Sequence, residues 1–210
     1  MKKDPYKRIA GIYDKYVDRF SHSLRLIGLK RAPARKGMRV LEVGCGTGTY
    51  LELYRSHGCD VYGIDMSPSM LEQAEKKLGP DTALHLGDAS DMPYEDDYFD
   101  LVIAMLTLHE MPHEMRNPVI SEMKRVVKND GQIMLIDYHP GPIEFPVGWF
   151  NRMIILFFEI AAGREHFRNF RNFISLKGLR VVLASSGLEI QREKIFGGGN
   201  LTVILAKRKD

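Results

Sequence analysis

The stretch "MRVLEVGCGTG", residues 38–48, limits the possible folds most, because it joins a short apolar run to a glycine-rich turn. The apolar run predicts a buried β-strand, and the residues from Thr49 to about His57 predict a helix. Glycines at a strand-to-helix turn let the backbone bend tightly and approach a ligand closely. The N-terminus of the helix behind such a turn offers free N–H groups that favour a negative group. The stretch therefore predicts the opening unit of an α/β fold with a ligand-binding loop.

Further strand-like runs alternate with helical segments downstream. The runs are "VYGID", "ALHLGD", "FDLVIAML" and "GQIMLID". Between them, Ser67 and Pro68 open a helix that ends near Leu78, and "NPVISEMKRVVKNDG" predicts a helix started by Pro118 and stopped by Gly131. Strands this apolar are typical of a parallel sheet covered by helices on both faces. The ending "LEIQREKIFGGGNLTVILAKR" predicts a hairpin. We therefore expect a mostly parallel, seven-stranded sheet with an antiparallel C-terminal pair.

Length and composition indicate one domain. The 210 residues are 44% hydrophobic, which allows a large core, and we predict a single domain with a helical N-terminal cap (1–36) and a helical lid insert (140–175). The 30 basic and 27 acidic residues are scattered rather than clustered, so composition does not indicate nucleic-acid binding. Two cysteines cannot build a disulfide framework, and the N-terminus has no apolar signal segment. We expect a soluble, cytoplasmic protein.

The segment "HEMPH", His109 to His113, matches the H-E-x-x-H signature of zinc peptidases. That signature requires an uninterrupted helix, on which two histidines four residues apart hold one metal. Pro112 stands inside the segment, and proline in a helix interior costs about 3 kcal/mol. The third ligand that peptidases supply downstream is also missing. We therefore predict that the segment is a chance match and holds no metal.

Two aspartates follow the glycine loop at positions suited to a nucleoside. Asp65 ends the second strand about 20 residues after the loop, where a carboxylate accepts both hydrogen bonds of a ribose diol. Asp88 ends the third strand at the same sheet edge. The spacing G-x-G-x-G departs from the dinucleotide fingerprint and lacks the lysine of triphosphate loops, so those ligands are disfavoured. The structural alternatives are a simple turn for the glycines and capping roles for the aspartates.

The chain resembles the class I S-adenosylmethionine-dependent methyltransferases. The similarity covers nearly the whole chain, through "VLEVGCGTG", "GIDMSPSMLEQAEKKL", "GDASDMPYEDDYFDLVIAMLTLHEMP" and "EMKRVVKNDGQIMLID". It is greatest with the branch of ubiquinone/menaquinone-biosynthesis C-methyltransferases and small-molecule or phospholipid N-methyltransferases. The resemblance implies the Rossmann-like fold of that class and S-adenosyl-L-methionine as cofactor.

The resemblance also implies residue roles. Glu42 and the loop glycines would hold the methionine end, Asp65 the ribose and Asp88 the adenine amino group. Met66 and Ala89 would cover the faces of the adenine. The complete set of implied cofactor-binding residues is Tyr13, Glu42, Gly44, Gly46, Gly48, Asp65, Met66, Asp88, Ala89 and Leu106.

The acceptor side is less defined by sequence. The family usually has His-His after the fourth strand, whereas this chain has His109 followed by Glu110. A histidine there can remove a proton from a phenol, enol or ammonium acceptor, and Asp137, Tyr138 and His139 after the fifth strand are further candidates. The alternative for both histidines is a structural role in the pocket wall or loop. We predict His109 and His139 as the catalytic residues.

The segment 146–163 is apolar around most of a helix. Such a helix is typical of full burial, of a lid over an apolar acceptor, or of contact with a membrane or second subunit. The following "GREHFRNFRNF" interleaves arginine with phenylalanine, as in a phosphate clamp or in an amphipathic helix with a solvated basic face. We favour the amphipathic helix.

These observations combine into one functional hypothesis. We predict a methyltransferase that moves a methyl group from S-adenosylmethionine to a small, apolar acceptor, either quinone-like or lipid-linked. A nucleic-acid acceptor is not expected, because the fourth strand exits as "MLTLHE" rather than in the Asp/Asn-Pro-Pro-aromatic box of nucleic-acid amino-methyltransferases. The alternatives are a protein of the same fold that binds the cofactor without transfer, and a nucleotide-cofactor oxidoreductase.

Overall fold

The computed structural model describes residues 4, 6–7 and 10–209, and within the first helix it describes no side chains for residues 12–20. Strands and helices alternate through the first two thirds of the chain. Their bounds are α1 Ala10–Arg31, β1 Arg39–Val43, α2 Thr49–Ser56, β2 Asp60–Asp65, α3 Pro68–Leu78, β3 Ala83–Leu86, β4 Phe99–Met105, α4 His113–Val126, β5 Val127–Tyr138, α5 Val147–Ala161, α6 Arg164–Ser175, α7 Leu179–Ala184, β6 Leu188–Phe196 and β7 Leu201–Arg208.

One sheet carries all these strands in the order β3-β2-β1-β4-β5-β7-β6. Strands β1 to β5 run parallel to one another, and β7 runs antiparallel between β5 and β6. The predicted seven-stranded, mostly parallel sheet with an antiparallel terminal pair is confirmed. The strand order reverses between β1 and β4, and open α/β sheets bind ligands at the carboxyl edge beside such a reversal.

Helices cover both faces of the sheet. Successive side chains of a strand point to opposite faces, so each central strand packs against helices on both sides. Val102 of β4 packs in a cluster with residues of α4, α6 and α7. The next residue, Ile103, packs in a second cluster with residues of the α1 end, α2 and α3. This double coverage explains why the central strands are apolar at nearly every position.

The fourth helix differs from the sequence prediction. It begins at His113 rather than at Pro118, which lies inside it. Pro112 is the residue before its first turn, and its fixed φ of −51° leads the chain into the helix. At the other end the chain enters β5 directly at Val127, so the glycine stop predicted at Gly131 is wrong. Gly131 lies within β5.

The two segments outside this α/β core contain helices, and their predicted roles as a cap (1–36) and a lid (140–175) stay predictions. The N-terminal segment forms α1, and the 140–175 segment forms α5 and α6. In the part of the chain that the structure describes, no helix is long and apolar enough to cross a bilayer.

Candidate cofactor and acceptor site

The glycine loop after β1 follows a backbone path that requires glycine. Gly44, Gly46 and Gly48 have φ values of 68°, 52° and 73°. A Cβ on Gly44 would lie 2.4 Å from Thr107 Cγ2, so the loop packs tightly against the segment leaving β4. A Cβ on Gly48 would lie 2.8 Å from Leu78 Cδ1. By contrast, no atom of the described residues lies within 4 Å of a Cβ built on Gly46. Gly44 and Gly48 therefore serve packing, whereas Gly46 faces open space.

Asp65 holds the loop from the end of β2. Its Oδ2 accepts a hydrogen bond from Gly46 N at 2.8 Å, and its Oδ1 accepts one from Ser67 N at 2.8 Å. Burial raises the pKa of Asp65, while these two N–H donors act in the opposite direction. Each carboxylate oxygen keeps a further lone pair, so the residue can still accept hydrogen bonds from a diol. Its ribose role stays a prediction.

Glu42 lies on β1 one residue before the end of the strand, with 3% of its surface exposed. Within the part of the chain that the structure describes, its Oε2 has no hydrogen-bond partner. Burial raises the pKa of Glu42 to about 8, with Arg25 opposing the rise. A buried carboxylate oxygen without a donor is costly, and an ammonium group would satisfy it. The ammonium at the methionine end of S-adenosylmethionine fits this requirement.

The residues predicted to surround the adenine lie at the ends of β2 and β3. Asp88 is exposed, and its Oδ1 accepts hydrogen bonds from Ser90 N and Oγ, both at 2.9 Å. Ala89 is buried, whereas Met66 is 58% exposed. Leu106, after β4, adopts a φ of 53°, which is uncommon for a residue with a side chain. Their cofactor contacts stay predictions, and the side chain of Tyr13 lies outside the described residues.

His109 lies in the segment between β4 and α4 and is 2% exposed. Its Nδ1 lies 2.7 Å from Asp137 Oδ1 at the end of β5. Asp137 also accepts backbone hydrogen bonds from Leu108, His109 and Tyr138, so its position is fixed from both strands. This arrangement points His109 Nε2 away from the sheet.

Two residues of the 140–175 insert lie close to His109, and sequence reasoning missed both. Glu159 of α5 is 4% exposed, and its Oε1 lies 3.6 Å from His109 Nε2. His166 of α6 places Nε2 2.8 Å from Glu159 Oε2. The only signal in the sequence was a single acidic residue within the apolar run of α5. An acid there is expected to face inward toward a partner, but sequence did not identify the partner.

The charge state of His109 follows from its neighbours. Burial lowers its pKa, but the carboxylates of Asp137, Glu110 and Glu159 outweigh burial and raise the pKa to about 9. At neutral pH the ring therefore carries both protons, and it must lose one before it can act as a base. The predicted catalytic role stays a prediction.

The first described residues cross this edge of the sheet. Tyr6 donates its hydroxyl hydrogen to Glu110 Oε2 at 2.6 Å. Asp4 accepts a hydrogen bond from Ser67 Oγ at 2.9 Å. Asp4 and Tyr6 therefore contact the segment after β2 and the segment after β4. Sequence reasoning named Tyr13 as a residue that lines the pocket and did not name Tyr6.

His139, the second predicted catalytic residue, has different surroundings. Its Nδ1 lies 3.1 Å from Gly199 O in the turn between β6 and β7, and 3.2 Å from Gly141 N. Its carbonyl oxygen accepts a hydrogen bond from Arg152 Nη2 at 2.8 Å. These contacts are those of a residue that joins β5, the hairpin turn and α5. Its catalytic role stays a prediction that these contacts do not support.

Helix α5 has two different faces. Its inner face places Ile155 and Glu159 in the interior. Its outer face and the residues just before it are exposed and strongly apolar. The side chains that are at least half exposed are Phe145, Val147, Trp149, Phe150, Met153, Phe157, Phe158 and Ile160.

Helix α6 has the amphipathic pattern that the sequence favoured. Phe170 and Phe173 are buried, whereas Arg164, Arg168 and Arg171 are exposed. The favoured interpretation, a helix with a solvated basic face, is confirmed. This basic face lies on the helix directly after the apolar face of α5.

Comparisons with known proteins show that the chain is similar to methyltransferases. A family model described as a methyltransferase domain matches residues 41–135. Phosphatidylethanolamine N-methyltransferase of Cereibacter sphaeroides is 41% identical over 138 residues, which span 63% of this chain and 66% of that protein. An uncharacterized methyltransferase of Synechocystis is 30% identical over 89% of this chain and 82% of its own length. Demethylmenaquinone methyltransferase of Lysinibacillus sphaericus is 27% identical over 97% of this chain and 94% of that protein.

Solved structures show the same fold. A chain from the Haloferax volcanii complex between the Trm112 methyltransferase activator and a methyltransferase superposes with a TM-score of 0.71, at 18% identity and full coverage of both chains. Haemonchus contortus phosphoethanolamine N-methyltransferase 2, solved with S-adenosyl-L-methionine, gives 0.64 at 16% identity and covers 90% of this chain and 53% of that chain.

Proposed function

Because the chain belongs to the class I S-adenosylmethionine-dependent methyltransferases, we propose that its acceptor is a small apolar molecule, quinone-like or lipid-linked, that it takes from a membrane surface. The family assignment decides against the oxidoreductase alternative. It leaves the acceptor open, because the relatives include both a phospholipid methyltransferase and a quinone-precursor methyltransferase by name.

The observation that carries this proposal is the double role of α5. One side of the helix brings Glu159 to within 3.6 Å of His109, in the acceptor region. The opposite side exposes Trp149, Phe150 and Phe157. Exposed apolar patches of this kind mark interaction surfaces, and an aromatic helix face beside arginines is typical of helices that lie in a membrane interface. An acceptor held in the bilayer would thus reach the site beside the helix that touches the membrane.

The proposed site residues form two groups, one on the cofactor side and one on the acceptor side of the transferred methyl group. S-adenosylmethionine supplies that group as an electrophile on a sulfonium. Glu42 holds the methionine end, and Asp65 and the Gly46 region hold the ribose side. His109 and Glu159 lie on the acceptor side, where they orient the acceptor. The segment 140–175 acts as a lid that excludes water, which favours transfer to the acceptor over side reactions.

The same proposal includes the cellular setting. Cys45 and Cys59 are both free, as expected in a reducing compartment. We therefore place the protein in the cytoplasm, with the α5 face on the inner membrane surface. A small or lipid acceptor, rather than a nucleic acid, fits this setting.

The decisive experiment measures methyl transfer to defined lipids. Purified protein is incubated with S-adenosylmethionine labelled on the methyl group and with three kinds of vesicle. The first contains phosphatidylethanolamine, the second contains a prenylated hydroquinone in phosphatidylglycerol, and the third is phosphatidylglycerol alone. Label incorporated in the first or second vesicles identifies the acceptor class. Incorporation in neither, with the cofactor still bound, overturns the lipid proposal and favours the non-transferring alternative.

A further inference from the structure

Three ligand-forming side chains from three different elements converge behind the acceptor region. They are His109 from the segment after β4, Glu159 from α5 and His166 from α6. Each offers one nitrogen or oxygen atom, and these atoms all lie within 4.8 Å of one another. His109 and Glu159 are buried, and His166 is partly buried, so the cluster is not a chance meeting of mobile surface side chains.

Asp137 orients the first of these ligands. It holds His109 Nδ1 at 2.7 Å, which leaves Nε2 free to face Glu159 and His166. Metal-bound histidines almost always have their second nitrogen fixed by a carboxylate, a carbonyl or water, because this sets the tautomer and the ring direction. The His109–Asp137 pair has that arrangement.

The third ligand is held by a separate set of contacts. Asn169, one turn after His166 on α6, donates from Nδ2 to Glu110 O at 2.7 Å. The guanidinium of Arg116 donates to Asn169 O at 2.9 Å and to Leu108 O at 3.1 Å. Helix α6 is therefore fixed to the segment that carries His109. These hydrogen bonds fix the position of His166 relative to His109.

We propose that His109, Glu159 and His166 form a binding site for one divalent transition-metal ion. Two imidazole nitrogens and one carboxylate are a common ligand set for Zn²⁺ and also suit Fe²⁺, Mn²⁺ and Co²⁺. In a tetrahedral site with bonds of about 2.0–2.2 Å, neighbouring ligand atoms lie roughly 3.2–3.6 Å apart. The 3.6 Å between His109 Nε2 and Glu159 Oε1 fits this spacing. The other oxygen of Glu159, Oε2, lies 2.8 Å from His166 Nε2, which is a hydrogen-bond distance, so metal binding requires this contact to open.

The surrounding charge also favours a cation. Glu110 places a carboxylate oxygen 4.0 Å from His109 Nε2 and another 4.0 Å from His166 Nδ1. Together with Asp137 and Glu159, three carboxylates thus lie close to two imidazoles. A divalent cation, or protons on both histidines, balances this charge equally well. The metal and a proton compete for the same nitrogen of His109.

This site differs from the peptidase signature that the sequence contains. In "HEMPH" the second histidine is His113, which is exposed at the first position of α4. The proposed site uses His109 but replaces His113 by Glu159 and His166, which are about 50 residues further along the chain. The prediction of no metal considered the ligands of "HEMPH" and did not include Glu159 and His166, because the sequence could not place the helices of the insert beside His109.

Metal titration of the purified protein tests the site directly. The protein is stripped with a chelator, dialysed, and titrated with ZnCl₂ by calorimetry and with CoCl₂ by visible absorption. We expect one ion per chain and the intense d–d bands of a low-coordinate Co²⁺ complex. His166→Ala and Glu159→Gln should each weaken Zn²⁺ binding by at least 10-fold, and Asp137→Asn by about 10–100-fold. His113→Ala, the matched control in the same motif, should bind as the wild type does.

The variants also report whether they are folded. Each is checked for S-adenosylhomocysteine binding, which uses residues outside the cluster, and the binding data of an unfolded variant are replaced by those of a second variant that also lacks the ligand, His166→Asn or Glu159→Leu. Absence of one-to-one binding in the wild type overturns the proposal. So does binding that survives both ligand variants or that is lost in His113→Ala. The titration needs no acceptor, so its failure leaves the proposed methyl transfer standing, and failure of the transfer assay leaves the metal site standing.

Discussion

Gly46 and Asp65 join the two segments that form the cofactor side of the site, through the 2.8 Å hydrogen bond from Gly46 N to Asp65 Oδ2. The bond connects the loop after β1 with the end of β2. Asp65 therefore supports the shape of the loop in addition to any hydrogen bonds it makes to the ribose. A change at this residue acts on both.

The first prediction follows from that double role. Asp65→Ala should weaken S-adenosylhomocysteine binding by about 1.5–3 kcal/mol, the range for hydrogen bonds that involve a charged group. Asp65→Asn keeps one acceptor oxygen and should lose less. Calorimetry measures both, and thermal unfolding checks that the variants remain cooperatively folded. Unchanged affinity in Asp65→Ala would remove the ribose assignment.

The second prediction concerns the open space beside Gly46. A side chain there meets no atom of the described residues within 4 Å, so a bound ligand would be the first described neighbour to clash with it. Gly46→Val should therefore reduce cofactor affinity more than its backbone strain alone explains. Gly37 is a matched control, because it also has a positive φ, 75°, and no neighbour within 4 Å. Gly37→Val should lose similar stability, on the order of 1–2 kcal/mol, but no affinity. Equal affinity in both variants would show that the Gly46 loop is structural only.

Much of this fold was predictable because local patterns determine it. The strands at Val61 and Phe99 are apolar and bounded by polar or glycine residues, and they occur where expected. The start of α4 was not predictable from Pro118, because a proline is tolerated inside a helix when the surrounding packing compensates for one lost hydrogen bond. In this helix the buried Val119 and Ile120 supply that packing.

The cofactor side of the site was also more predictable than the acceptor side. Asp65 lies at a fixed distance along the chain from the glycine loop, so its place followed from topology. The acceptor side depends on how α5 and α6 pack, and no local pattern shows that Glu159 and His166 meet His109. His139 was named only because it follows a strand, and in the structure it binds the hairpin turn instead.

The third prediction uses the pKa of about 8 at Glu42, which burial raises above the ordinary glutamate value. Between about pH 4.5 and 8 the folded protein keeps a proton that the unfolded chain has lost. Folding stability should therefore fall as pH rises through this window, by up to about 1.4 kcal/mol per pH unit for this group, and level off above it. Glu42→Gln removes this contribution. Urea unfolding at pH 5, 6, 7 and 8 should show the variant gaining stability relative to wild type as pH rises, and parallel profiles would contradict the assigned pKa.

The fourth prediction separates cofactor binding from turnover. His109→Ala should leave S-adenosylhomocysteine affinity nearly intact, because the residue lies on the acceptor side, and should lower turnover by about 100-fold or more. Glu110→Ala should have a smaller effect, and His113→Ala, which changes an exposed residue, should have none. The label-transfer assay with the accepted lipid gives turnover, and calorimetry gives affinity. Loss of affinity with unchanged turnover in His109→Ala would contradict the assignment.

The last prediction tests the membrane face of α5 with a reporter that the chain already contains. Trp149 is the only tryptophan and is 61% exposed on that face, so its fluorescence reports the polarity around α5 alone. On vesicles containing anionic lipid, its emission should shift to shorter wavelength, because the indole enters the interface. The double change Phe150→Ser and Phe157→Ser should weaken vesicle binding by at least 10-fold, since it removes two large apolar side chains from the contact. Leu86→Ser, which alters a side chain of similar exposure on β3, should bind vesicles normally. A shift that persists in the double variant, or that is equally lost in Leu86→Ser, would show that α5 is not the membrane contact.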